Sequence, residues 1–194
     1  MSSAKPYLAE IVRSYLTSLN DCFVHLEVEQ IERVARALRE ISVQGRSVFV
    51  AGNGGSAATA SHMANDLMKT VSFGTGKNML RVTALTDCVS LLTAYANDVG
   101  YESVFANQIA VLANRGDMLI LLSASGNSGN LLVAADVARE KGVKIVSFLG
   151  MGGGKLLARS DIAIVVDSGD YGAIEDTHLI LNHILTKALR TLGE

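Results

Sequence analysis

Five short apolar runs, at 47–51, 80–85, 118–122, 143–149 and 162–166, constrain this chain more than any other feature. Each is followed by a turn rich in Gly, Ser or Asp, and helical stretches lie between them at 57–69, 90–97 with 103–113, and 131–141. None of the runs alternates apolar with polar residues, which is the pattern of strands covered on both faces in a parallel sheet. Strands alternating with helices require right-handed crossovers. The expected fold is therefore a doubly wound, three-layer α/β/α sandwich around a five-stranded, mainly parallel sheet.

Two amphipathic helices precede the first run. Leu8, Ile11, Val12, Tyr15, Leu16 and Leu19 keep helical spacing in one, and Val28, Ile31, Val34, Ala35, Leu38 and Ile41 in the other. Such a pair packs either on its own sheet or against another subunit. A long helix at 172–192 follows the last run. The 194 residues read as one domain, 1–194, with the helix pair at 1–43 and the α/β core at 44–194.

Composition excludes several classes of partner. A net charge of −2 leaves no basic footprint for nucleic acid or an anionic membrane. The longest apolar stretches are strand-sized, so neither a signal peptide nor a membrane span is expected. Cys22 and Cys88 have no metal-like spacing and read as reduced thiols of a cytosolic protein.

In a doubly wound sheet, ligands bind where strands deliver their carboxyl ends, so the chemistry belongs in the loops after the strands. The loop Gly52-Asn53-Gly54-Gly55-Ser56-Ala57 joins a strand to a helix, and its glycines let backbone N–H groups face an anion. It formally fits a dinucleotide fingerprint, but the acidic residue expected on the next strand arrives late, at Asp87. A tight turn with no ligand is the plainer alternative. The loop Ser123-Ala124-Ser125-Gly126-Asn127-Ser128 also joins a strand to a helix, and it gathers hydroxyls, a glycine and helix N–H groups into an anion nest. It has no lysine. Gly152-Gly153-Gly154-Lys155 is followed by Leu156 and has Leu149 where a first glycine belongs, so it fails the nucleotide P-loop pattern too. The nest suits a terminal monoester phosphate, and no nucleotide cofactor is expected.

Taken together, the GNGGS loop followed by His62, Ala96-Asn97-Asp98, the serine loop and the glycine-rich stretch 150–155 resemble the sugar isomerase (SIS) domain family. Within it the chain looks most like the phosphoheptose isomerases, over essentially its whole length. The resemblance implies a cytoplasmic homotetramer with active sites completed at subunit interfaces. It also implies interconversion of sedoheptulose 7-phosphate and D-glycero-D-manno-heptose 7-phosphate, feeding activated-heptose synthesis. Asn53, Gly54, Ser56, Asp98, Ser123, Ala124, Ser125, Ser128 and Glu175 would then bind the sugar phosphate.

Ketose–aldose isomerisation moves a proton between adjacent carbons through an enediol, and it stabilises charge on the neighbouring oxygens. His62 and Asp66 lie four apart on one predicted helix and share a face. On the last helix, His183 lies about 80° around from Glu175 at about 100° per residue. A carboxylate with a histidine meets the chemical need, as does a divalent metal held by His and carboxylate oxygens, for which Zn²⁺ is the best match. In the phosphoheptose isomerases, the positions of His62, Asp66, Glu175 and His183 include the acid–base pair and the zinc ligands of some members. Here His183 with Glu175 or Asp66 is expected to handle protons, and the four residues together to hold one Zn²⁺ per subunit. His178 is expected to support or pack behind the site, and His25 to lie on the surface.

The family usually has Glu at the position of Asp66, Gln at Glu175, Arg near Thr70 and Thr at Ala124. Losing a methylene at Asp66 retracts its carboxylate by about 1.5 Å, and misplacement by about 1 Å costs about a hundredfold in rate. Three outcomes fit these exchanges. Glu175 supplies the carboxylate that Asp66 no longer extends, or the substrate is a different sugar phosphate. Otherwise catalysis is lost and the chain is a SIS-fold regulator or scaffold of the replication-initiator-binding type.

Overall fold

The computed structural model describes residues 4–72 and 79–191. Helices α1 (Ala4–Val24) and α2 (Val28–Val43) lead into strand β1 (Ser47–Gly52) and helix α3 (Gly55–Asn65). Strand β2 (Arg81–Ala84), helices α4 (Val89–Asp98) and α5 (Ala106–Leu112), and strand β3 (Met118–Ser123) follow. The chain continues through α6 (Gly129–Glu140), β4 (Lys144–Gly150), the short α7 (Gly154–Leu157), β5 (Ile162–Val166) and α8 (Tyr171–Thr191). Residue 192, expected to end the last helix, lies outside the described residues.

The strands stand in the order β2-β1-β3-β4-β5, and all four pairings are parallel. The expected mainly parallel sheet is thus parallel throughout. Its layering explains the unbroken apolar run of β3, whereas the 80–85 run departs from the expected lack of alternation: in β2, at the sheet edge, Arg81 and Thr83 are exposed while Val82 and Ala84 are buried. Met118, Ile120 and Leu122 of β3 point into one core, with Leu38 of α2, Met63 of α3 and Leu185 of α8. Leu119 and Leu121 point into the other, with Ile109 of α5 and Leu131 and Ala135 of α6. Both faces of β3 are shut off from water, so both need apolar residues, each worth about 1.5–3 kcal/mol when buried.

The helix pair divides its work. α2 buries Val34, Leu38 and Ile41 on its own sheet. α1 lies on α8, joined by a 2.6 Å hydrogen bond from the Tyr15 hydroxyl to Asp176. That contact holds the Tyr15 phenol protonated, its pKa pushed up to about 12 by the Asp176 carboxylate. Leu8, Ile11, Val12 and Leu16 of α1 remain exposed.

Three helices differ from their expected extent, α6 by starting at Gly129, two residues before the expected 131. α3 starts at Gly55 rather than two residues later, because the glycine allows a close approach to α8 described below. Beyond Asn65 the helix widens into a π-turn, Asp66–Thr70, in which the Val71 N–H donates to the Asp66 carbonyl. Insertions of this kind concentrate at functional sites. The stretch expected as helix at 103–113 is a 3₁₀ turn, Tyr101–Ser103, followed by α5.

Candidate active site

The strand order reverses direction between β1 and β3, and there the crossover helices leave on opposite faces and open a crevice. The loops after these two strands are the two singled out in the sequence. They form a cavity of about 170 Å³, walled by Asn53, Ser56, Ser123, Ser125, Ser128 and Glu175, with Leu122, Ala124 and Tyr171 completing it. Gly54, the residue before α3 (φ 57°), and Asp98, exposed at the end of α4 and bonded to Asn97 (2.7 Å), lie outside that wall.

The serine loop is fixed by its own backbone. The Gly126 N–H donates to Ser123 Oγ (3.0 Å) and the Asn127 N–H to Ser125 Oγ (3.2 Å). On its far side the loop meets α7 backbone to backbone: the Leu156 N–H donates to the Gly126 carbonyl. Gly126 has φ +64°, and a Cβ on it would run into the Gly153 carbonyl oxygen. Only glycine suits that combination. The Ser128 hydroxyl precedes α6 without capping it, so the first N–H groups of that helix stay open to an anion.

The other loop is braced by an amide pair invisible in the sequence. Asn53 Nδ2 donates to Asn130 Oδ1 (3.0 Å), and Asn130 Nδ2 donates back to Asn53 Oδ1 (2.9 Å). The Tyr101 hydroxyl donates to the same Asn53 oxygen (2.9 Å). The Asn53 side chain is thereby committed to protein partners.

Along α3 and α8 the crevice continues away from the serine loop. Glu175 projects over the first turn of α3 so closely that a Cβ on Gly55 would strike its carboxylate. An acid at a helix N-terminus is stabilised by the helix dipole. Two turns further on, His62, Asp66 and His183 converge. His62 Nε2 lies 3.3 Å from His183 Nε2 and 3.3 Å from Asp66 Oδ2, and His183 Nε2 lies 3.7 Å from that oxygen. Among the described residues these three form a group able to hold a metal, and Glu175 is not part of it. A tetrahedral site with bonds of about 2.0–2.1 Å has donor–donor edges of about 3.3–3.4 Å, and two imidazoles with a carboxylate are a zinc-type donor set. The residues present fit that ion with one position open.

His178 packs edge-on against Phe148 and is 1 % exposed. Burial pushes its pKa down to about 4, which keeps it neutral and assigns it to packing. His25 caps its own helix on the surface, its Nδ1 against the Asp21 carbonyl. Tyr171, Asn130, Tyr101 and Asn182 are the residues the sequence did not bring forward. Tyr171 alone had a signal, four residues before Glu175 on the same helix face.

Comparison with known proteins agrees with this geometry. Residues 13–150 match the SIS domain model. A phosphoheptose isomerase of Helicobacter pylori (strain P12) is 39 % identical over 186 residues, covering 93 % of this chain and 90 % of that protein. Another, from Burkholderia pseudomallei (strain 1710b), is 41 % identical over 155 residues, covering 80 % and 78 %. The solved structure of a phosphoheptose isomerase from Francisella tularensis superposes with a TM-score of 0.88 at 28 % identity, covering 98 % of this chain and all of that one. The chain belongs to the SIS-domain family and, with these relatives, to its phosphoheptose isomerases.

Proposed function

We propose that this chain is a ketose–aldose isomerase that interconverts sedoheptulose 7-phosphate and D-glycero-D-manno-heptose 7-phosphate, working as one SIS domain of helix pair 1–43 and core 44–194. The observation that carries this reading is the position of Glu175 on the wall of the serine-lined cavity, with the His62–Asp66–His183 cluster further along the same two helices.

The phosphate is held by the Ser125 and Ser128 hydroxyls and the open N–H groups of α6, with Ser56 and Ser123 lining the cradle. Glu175 removes the C1 proton of the ketose while O2 gains one, which gives the enediol. Return of the proton to C2 and loss of the O1 proton gives the aldose. His183 carries the proton between the two oxygens. Were Zn²⁺ held by His62, Asp66 and His183, it would polarise those oxygens as a Lewis acid in place of the histidine's proton transfer, because the His183 Nε2 lone pair would then be taken by the metal. Asp66 orients and neutralises within that cluster, and Glu175 takes over proton transfer.

We further infer a cytoplasmic homotetramer with sites completed across subunit interfaces. A cavity of about 170 Å³ is small for its ligand, since small-molecule pockets run to about 300–1,000 Å³. The exposed apolar stripe of α1 offers a surface for another copy. Both cysteines are free thiols, in keeping with a reducing compartment.

The test is incubation of the pure protein with sedoheptulose 7-phosphate, after chelation and again with added Zn²⁺, following the aldose product. Product is expected, and more of it with the metal. No aldose under either condition overturns the reading. A pentose or hexose phosphate that stabilises the fold more than the heptulose phosphate would redirect it to another sugar.

A further inference from the structure

Asn182 precedes His183 on α8 and is 0 % exposed. Its Nδ2 donates a 2.8 Å hydrogen bond to Asp66 Oδ2, the oxygen that faces both imidazoles. An ionised carboxylate only accepts hydrogen bonds, so this contact fixes which way the amide is turned. Its other end is then left in the interior, where Asn182 Oδ1 meets no donor among the described residues. A leucine would fill nearly the same space without burying an unpaired carbonyl. Packing alone therefore does not account for an amide at this position.

Asp66 needs the support. Its carboxylate stands one methylene closer to the backbone than a glutamate's would. Oδ1 is held by Asn65 Nδ2 at 3.2 Å and by Thr70 Oγ1 at 3.5 Å, both from the π-turn or its edge. That leaves Oδ2 to face His62 and His183, and Asn182 occupies one side of it.

We propose that Asn182 is the positioning residue that compensates for the short carboxylate. It anchors Asp66 Oδ2 so that the oxygen's free lone pair points at the space between the two Nε2 atoms. The inference rests on the metal reading above. Ligating carboxylates are themselves held by hydrogen bonds, and losing such a partner typically weakens metal affinity about 10–100-fold.

The test is a double-mutant cycle on Zn²⁺ affinity, measured by chelator competition, with thermal unfolding of the metal-free protein alongside. N182L should bind Zn²⁺ about 10–100-fold more weakly than wild type, with an unfolding temperature that holds or rises. In the D66E background the same change should cost little, because the longer side chain reaches without help. N182L binding as tightly as wild type, or an equal loss in both backgrounds, overturns the proposal. If N182L does not fold, N182A takes its place in the cycle. Should the wild-type protein bind no Zn²⁺, the metal reading falls and the isomerase reaction in chelator decides. There N182L must lower kcat at least about tenfold with KM unchanged, and an unchanged kcat sinks the proposal.

Discussion

At the serine-loop end of the crevice the framework is largely backbone, whereas towards the histidines the walls are side chains carried on two helices. The serine loop is pinned by the N–H groups of Gly126 and Asn127 and by close packing on the 150–155 stretch, where even a methyl group has no room. Glu175, His62, Asp66 and His183 instead reach into the crevice from α3, the π-turn and α8, and three of them meet only through their tips. Backbone walls tolerate almost no change of sequence. Walls of side chains can accept an exchange when a neighbour makes up the difference.

The largest expected effect tests that exchange directly. E175Q should lower kcat about 10³-fold, or about 4 kcal/mol. Adding D66E to it should return at least about tenfold, since the longer side chain then extends a carboxylate into the crevice in place of the one lost at 175. Full activity in E175Q would give proton transfer to Asp66 and break the proposed division of labour. Slightly smaller is G126A, which combines a left-handed backbone with a collision against Gly153 and should cost roughly 3–4 kcal/mol of stability in denaturant unfolding. A loss below about 1 kcal/mol would show that the phosphate end yields after all.

The helix carrying the chemistry should also make the fold acid-sensitive. His178 stays neutral when folded, with a pKa of about 4, and titrates near 6.5 when unfolded. Between those values the unfolded chain binds the proton, so stability is full above pH 6.5 and falls as the pH drops towards 4, by about 3 kcal/mol. H178L should remove that component from a series of unfolding curves between pH 7 and pH 4. An unchanged pH slope would assign the acid sensitivity elsewhere. The smallest effect is G55A, which separates fold from function. Its φ suits alanine, and the obstacle is only the flexible tip of Glu175. Melting should hold while kcat falls about a hundredfold, or about 2.7 kcal/mol. Unchanged kcat would mean that the Glu175 carboxylate can work from another position.

The sheet and the two loops were legible in the sequence because they are local. An apolar run between turn residues, or hydroxyls gathered within six positions, is visible without knowing where the chain folds back. The braces were not. Asn53 meets Asn130 across 77 positions, and Asp66 meets Asn182 across 116. No periodicity links such pairs, and an Asn inside an apolar helix reads as a packing fault until its partner is known. The early start of α3 was hidden for a related reason. Gly55 looks like a turn residue, and only the approach of Glu175 explains why a helix begins on it. The shared site of His62 and Asp66 followed from their four-residue spacing, whereas the place of Glu175 on the cavity wall, away from the metal-type cluster, depended on how α8 lies over α3.

Because Glu175 and His183 ride on one uninterrupted helix, neither can shift along the crevice without the other. On the proposed reading, with the phosphate held in the serine loop, α8 acts as a measuring rod. A sugar is sorted by how many carbons it places between its phosphate and its carbonyl. Shorter chains would be gripped just as firmly and still hold their reactive carbons away from the histidines.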